Sequence, residues 1–229
     1  MDDIIVVKKK MNTESGSAMI VNYEQNGQLQ PFNQVVLMSG SKRRHELLAF
    51  MEPVIQVAQI DERQIEATYL TQYQSDAFLP RVAKTCCEIS KAKLSKARES
   101  NTLYIAADTM VVACDQIYHK PKDLEEAEQM LRSYFGQVHH VVTSVCLKTT
   151  DYLDVFYAVT EVEFVDYYPA LEPLIQSYLE TESSLDKSGG YGIQEIDPRF
   201  VARIDGDIYT VVGLPVAEVS RRINTAIVK

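Results

Sequence analysis

The alternation of apolar and polar positions divides this chain into short buried strands and amphipathic helices. Val35-Val36-Leu37-Met38 is an apolar run broken by Ser39-Gly40-Ser41, after which Leu47, Leu48 and Phe50 recur at helical spacing across Arg43 to Met51. That order predicts a strand, a tight turn and a helix. Val54 to Ala58 predicts a second strand, ending in the acidic corner Asp61-Glu62. A helix is predicted across Phe78 to Arg98, then a strand from Leu103 to Ala107, interrupted by Asp108-Thr109 and resumed from Met110 to Ala113. Asp123-Leu124-Glu125-Glu126 is a capping box that opens a helix to Phe135, stopped by Gly136. Val138 to Lys148 and Asp154 to Asp166 are predicted long strands, and Pro169 opens a helix to Glu180. Phe200 to Ile204 and Ile208 to Val212 are the last predicted strands, and Pro215 sits near the first turn of a C-terminal helix, where its missing N–H costs nothing.

This is an α/β pattern, expected to form one domain over residues 35–229. Residues 1–34 break it with the polar, turn-rich pieces Asn12 to Ser17 and Asn26-Gly27-Gln28, and are expected to be a loosely structured appendage or an added edge hairpin. A length of 229 residues with 46% hydrophobic and 24% charged residues is ordinary globular composition. No apolar run reaches the ~18 residues of a membrane span. The N-terminus does not read as a secretory signal, because Ile4 to Val7 is too short and the acidic start has the wrong sign. Four cysteines without metal-ligand spacing point to a reduced, cytoplasmic protein. The formal net charge of -9 argues against binding a nucleic acid polymer. Functional cations must then be gathered in a cleft.

Four motifs carry chemistry. Ser39-Gly40-Ser41-Lys42-Arg43-Arg44 presents free N–H groups and adjacent cations at a helix start, where cations are otherwise unfavourable, so anion binding is the better reading than a solvated basic patch. Asp108 lies between two apolar segments, where a carboxylate is costly unless paired with a metal, a water or a cation; alone it reads equally as a turn aspartate. Glu62 is a plausible second carboxylate, and together the two suit Mg²⁺, which takes few carboxylates and several waters and phosphates. Lys120 has its backbone fixed by Pro121 and is a candidate to point into a site. In Asp186 to Gln194, three glycines in four positions allow a sharp turn or close approach of a ligand, interleaved with Asp186, Lys187, Tyr191 and Gln194. His119 and His140 read as structural or solvent-facing, and Thr143, Thr160 and Phe164 as structural.

These motifs, with Lys120-Pro121, Gly136-x-x-His139-x-x-x-Thr143, Thr160-x-Val162-x-Phe164 and Val212-Gly213-Leu214-Pro215, resemble the Maf family of septum-formation-like nucleoside triphosphate pyrophosphatases over about Val35 to Ile223. The resemblance implies hydrolysis of a nucleoside triphosphate between the α and β phosphates, with a divalent metal, Mg²⁺ or Mn²⁺. It implies an elongated, two-lobed α/β structure with a mixed central sheet flanked by helices and a central cleft, like the inosine triphosphate pyrophosphatases, and a homodimer. By the same resemblance Asp108 is the general base, Glu62 lies on the metal side, Arg43, Arg44 and Lys120 bind phosphate, and Ser39, Asp186 and Lys187 are among the substrate-binding residues. A further family lysine maps onto Lys91 when counted back from Asp108, and near Cys86 when counted forward from Arg81; Lys91 is the assignment expected here. Arg43, Thr109 and Gln194 match the subgroup acting on dTTP and UTP. Lys42 in place of a proline, Ser188 in place of an alanine and Glu195 in place of a glycine depart from the family pattern. They leave open an altered specificity, or a protein that binds nucleotide with little turnover.

Overall fold

The computed structural model describes residues 19–97 and 99–227. Eight strands form one sheet in the order β1-β7-β6-β4-β2-β3, with β5 pairing onto β4 and β8 onto β7. The strands are β1 (Met19–Gly27), β2 (Gln34–Met38), β3 (Val54–Gln56), β4 (Thr102–Ala113), β5 (Gln116–Tyr118), β6 (Val138–Lys148), β7 (Tyr152–Phe164) and β8 (Val201–Asp205). The helices are α1 (Lys42–Leu47), α2 (Glu62–Gln72), α3 (Phe78–Lys93), α4 (Leu124–Ser133), α5 (Glu172–Glu180), α6 (Ile208–Val212) and α7 (Val216–Ile227). β2 runs parallel to β3 and β4, and the remaining pairs are antiparallel, so the sheet is mixed, as expected.

The central strand positions the site. One edge of β4 pairs with β6 continuously from Tyr104 to Val112. The other edge pairs with β2 through Ile105 and with β5 from Val111, leaving residues 106–110 between the two partners. On each face of β4, two apolar clusters are separated by a single polar residue. Tyr104 and Ala106 belong to one cluster and Met110 and Val112 to another, with Asp108 between them. On the opposite face Leu103, Ile105 and Ala107 belong to one cluster and Val111 and Ala113 to another, with Thr109 between. Because side chains alternate along a strand, one dipeptide places a carboxylate on one face and a hydroxyl on the other. Asp108-Thr109 therefore does not interrupt the strand, as its polarity suggested; β4 is continuous through it.

Three other expectations change. Ile208–Val212 is a helix, not a strand: Asp207 caps it by accepting from the Tyr209 N–H at 3.0 Å, and Gly213 ends it with φ of 119°. A segment this short and rich in β-branched residues follows its caps instead of its propensity. α2 is an added element, largely exposed and without an apolar stripe, opened by Asp61 accepting from Gln64 N–H at 2.9 Å. Met19–Gly27 add one strand, β1, along β7 at the sheet edge, and Leu29 in the connection that follows is buried. The rest of the expected appendage, residues 1–18, lies outside the described residues.

Candidate active site

The gap along β4 opens into a cleft of about 910 Å³. Ser39, Arg43, Arg44, Glu62, Asp108, Thr109, Lys120, Asp186, Lys187 and Gln194, the sequence candidates other than Lys91, all line it. Six Lys or Arg side chains and five carboxylates form its wall, a local cationic surplus in a chain of net charge -9. Clefts concentrate such a field on an anionic ligand.

Ser39 follows directly on β2, whose neighbours β3 and β4 lie on opposite sides, a switch point of the kind where α/β sheets bind ligands. The Ser39 hydroxyl accepts from Ser41 N–H at 3.2 Å and from Arg44 Nη1 at 3.4 Å. Arg44 is held from further directions: its Nε donates to the Gly213 carbonyl at 2.8 Å and its Nη2 to the Thr109 hydroxyl at 2.9 Å. Thr109 in turn contacts the Thr143 hydroxyl at 2.9 Å, and Thr143 donates to the Thr210 carbonyl at 2.7 Å. Burial lowers the Arg44 pKa, and Asp108 partly offsets this. A guanidinium starts high enough to stay charged. The short helix α6, read as a strand in the sequence, is what brings the Gly213 carbonyl to this arginine.

On the other face of β4, Asp108 is 9% exposed. Its Oδ1 accepts from Lys93 Nζ at 2.8 Å, and Cys86 Sγ approaches Oδ2 at 3.5 Å. Cys86 and Lys93 are seven residues apart on α3, two turns along one helix face. Burial raises the Cys86 thiol well above its ordinary value, so it stays a neutral donor. Lys93 Nζ also lies 3.2 Å from Glu62 Oε1, the first residue of α2.

Lys91 is not in the cleft. Its ammonium pairs with Glu24 at 2.7 Å and Glu88 at 3.1 Å, and lies 5.6 Å from the centre of the Tyr23 ring. Two residues along a helix rotate a side chain by about 200°, so Lys91 faces β1 while Lys93 faces Asp108. In the Lys91-Ala92-Lys93 run it is Lys93 that reaches the cleft. Counting by sequence alone could not choose the face, but the seven-residue spacing from Cys86 was a usable signal.

The glycine-rich segment and the residues leading into it form two 3₁₀ turns, Ser183–Asp186 and Ser188–Gly190. Gly189 has φ of 81°, and a Cβ there would meet Val111 Cγ2 at 2.8 Å and Tyr134 Oη at 2.9 Å. The close approach is therefore to the protein's own core. This packing carries Asp186, Lys187 and Gln194 to the cleft wall. Lys187 is buried, with Asp186 at 2.7 Å and Glu195 at 2.9 Å, and Arg43 reaches Glu195 at 4.0 Å. Burial lowers the Lys187 pKa, but Asp186 and Glu195 outweigh it and leave it raised.

The donor set fits a divalent metal that shares its coordination with substrate. Asp108 and Glu62 converge from β4 and α2 on a single cationic atom. Among the described residues no group of three or more His, Cys, Asp or Glu side chains gathers anywhere. An ion held here would complete its shell with waters and phosphate oxygens, which suits Mg²⁺ better than a closed protein cage.

Comparison with known proteins identifies the family. Residues 34–226 match the family described as Maf-like protein. A dTTP/UTP pyrophosphatase of Bacillus velezensis is 38% identical over 189 residues, spanning 82% of this chain and 94% of its own length. Proteins of the same name from Aliivibrio fischeri, 34% identical over 185 residues, and Pyrococcus furiosus, 35% over 187, span 81% and 80% of this chain and 94% and 90% of their own lengths. β1 lies outside the matched region. The chain thus belongs to the Maf-like protein family.

Proposed function

We propose that this chain is a nucleoside triphosphate pyrophosphatase that cleaves dTTP and UTP between the α and β phosphates, releasing the monophosphate and pyrophosphate. The observation that carries the proposal is the single cleft around β4, where a buried carboxylate on one face and a clamped arginine on the other meet surplus cations. Phosphoryl transfer is largely a matter of positioning and charge neutralisation, and these residues are arranged for both. Asp108 takes the proton from the attacking water. Arg43, Arg44 and Lys120 hold phosphate oxygens, and Lys93 pairs with the carboxylate before substrate arrives. Asp108 and Glu62 would hold a divalent ion, Mg²⁺ or Mn²⁺, which when bound neutralises phosphate charge and lowers the pKa of a bound water. Gln194, which can both donate and accept, offers a base edge the pairing that discriminates pyrimidines. A reducing, cytoplasmic setting belongs to the same proposal and is supported by four free cysteines. Among the described residues no helix is long and apolar enough to cross a membrane. A homodimer is also part of it, tested by light scattering for twice the chain mass.

A second reading is favoured by one contact pair. Both oxygens of Asp108 are engaged, by Lys93 at 2.8 Å and Cys86 at 3.5 Å, as in a protein that binds nucleotide without turnover. A panel of nucleoside triphosphates assayed for pyrophosphate release with Mg²⁺ separates the two. Release from dTTP and UTP supports hydrolysis, release chiefly from purines overturns the substrate assignment, and tight binding without release supports the second reading.

A further inference from the structure

Lys93 stands at the point where the two carboxylates of the cleft converge. Its ammonium is 2.8 Å from Asp108 Oδ1, 3.2 Å from Glu62 Oε1 and 3.2 Å from the Ala107 carbonyl oxygen. Three oxygens of this kind, two of them anionic, are what a hard divalent cation takes. The Lys93 side chain is 9% exposed, and that of Glu62 is 52% exposed, so one side of the pair opens to the cleft. A metal bound to the same Asp108 oxygen would lie within a few ångströms of the ammonium, and two cations at that distance repel strongly. Both cannot keep the position.

The local structure lets the lysine yield it. Lys93 is the last residue of α3, and the helix end there favours a cation nearby. A lysine is a compact charge on a flexible four-carbon stem, unlike the clamped fork of Arg44 across the strand. Asp108 keeps a neutral neighbour on its other oxygen, Cys86 at 3.5 Å, that would hold the carboxylate orientation when the ammonium moves.

Resting on the nucleotide-hydrolase reading above, we infer that Lys93 is an exchangeable internal counter-ion. It holds Asp108 and Glu62 together before substrate arrives, gives that place to the divalent ion, and transfers its charge to the phosphate oxygens of the nucleotide. The consequence is coupled binding. Metal alone competes with the ammonium, whereas nucleotide gives the ammonium a new anionic partner and so strengthens metal binding, and by linkage the reverse holds equally.

The test measures Mn²⁺ binding directly, by the electron paramagnetic resonance signal of the free ion, with and without α,β-methylene-UTP. The proteins compared are wild type, Lys93→Met and Lys93→Gln. The expected result is that both variants bind Mn²⁺ alone about tenfold tighter than wild type, from loss of one competing charge at short range. The enhancement by nucleotide should shrink by a similar factor. Lys91→Met serves as the control for general loss of positive charge, since its lysine is on the same helix but paired with Glu24 and Glu88; it should bind Mn²⁺ as wild type does. Unchanged or weaker Mn²⁺ binding in whichever Lys93 variant retains a cooperative melting transition overturns the inference, as does an equal gain in Lys91→Met. Wild type that shows the coupling but releases no pyrophosphate would overturn the hydrolase reading alone. A hydrolase whose Lys93 variants bind metal like wild type would overturn the exchange alone.

Discussion

Two buried aspartates on the same sheet have opposite surroundings. Asp154 on β7 accepts from Arg222 Nη1 at 2.8 and 3.1 Å and from the Tyr152 hydroxyl at 3.1 Å. Arg222 spends its other donors on Glu218 at 2.6 Å and Asn22 at 2.5 Å, and its guanidinium stacks 3.9 Å over the Phe156 ring. That cluster is closed: each charge is matched, and the matches tie β1, β7 and α7 together. Asp108 on β4 has one ammonium, one weak thiol donor and an open cleft with more cations than carboxylates. Burial of a charge marks a place where the fold must compensate it. Whether it marks a site depends on whether the compensation is complete inside the protein.

The comparison breaks most sharply on exchange of each carboxylate for its amide. Asp108→Asn should lower turnover by about 10²–10⁴-fold, the usual contribution of a positioned base, while the melting curve stays close to wild type. Asp154→Asn should do the reverse. It leaves Arg222 buried without its charge partner and should cost about 3–5 kcal/mol of stability by denaturant titration, with turnover per folded molecule unchanged. If Asp154→Asn melts like wild type and loses turnover, the division between closed and open clusters is wrong.

Smaller changes sharpen it. Arg44→Lys keeps the charge but loses the fork shared by Gly213 and Thr109, and should cost about 1–3 kcal/mol of substrate binding, read as a raised KM. Lys91→Met should leave kcat and KM alone and cost at most about 1 kcal/mol of stability, because its ion pairs are partly exposed.

A pH dependence belongs to the closed parts of the fold. Burial pushes His139 from its ordinary 6.5 down to about 3, with Nε2 at 2.7 Å from the Tyr191 hydroxyl. Its neutral form is the one the folded state keeps, so between pH 6.5 and about 3 the unfolded chain binds the extra proton. Stability should fall as pH drops through that window, and the fall should be shallower in His139→Gln. A urea midpoint with the same pH slope in both proteins would contradict this.

Much of the molecule was legible in the sequence because local signals agreed with long-range ones. β6 has the limits its apolar alternation indicated, and α4 is capped by Asp123, whose carboxylate accepts from Glu126 N–H at 2.8 Å. The gathering of most candidate residues at one cleft followed from motifs placed at strand ends, and the mixed sheet was implied by the family resemblance. What was missed depends on information a one-dimensional pattern does not hold. α2 has no apolar stripe, although Asp61-x-x-Gln64 carries the spacing of an N-cap pair. Ile208 to Val212 is rich in β-branched residues, and only the flanking Asp207 and Gly213 betray the helix. Lys91 and Cys86 were the positions weighed, whereas Lys93 enters the cleft through the helix face it occupies, fixed by where α3 packs. Asp108-Thr109 is polar at two successive positions because the cleft reaches both faces of one strand.

The most direct test is the identity of the products formed from UTP with Mg²⁺, followed by phosphorus NMR in wild type and Asp108→Asn. The expected result is UMP and pyrophosphate in equal amounts from wild type, with Asp108→Asn binding UTP but forming neither at a comparable rate. Release of UDP and orthophosphate, or the same products at an undiminished rate from Asp108→Asn, would contradict a cleft that splits nucleotides at the α–β bond through this aspartate.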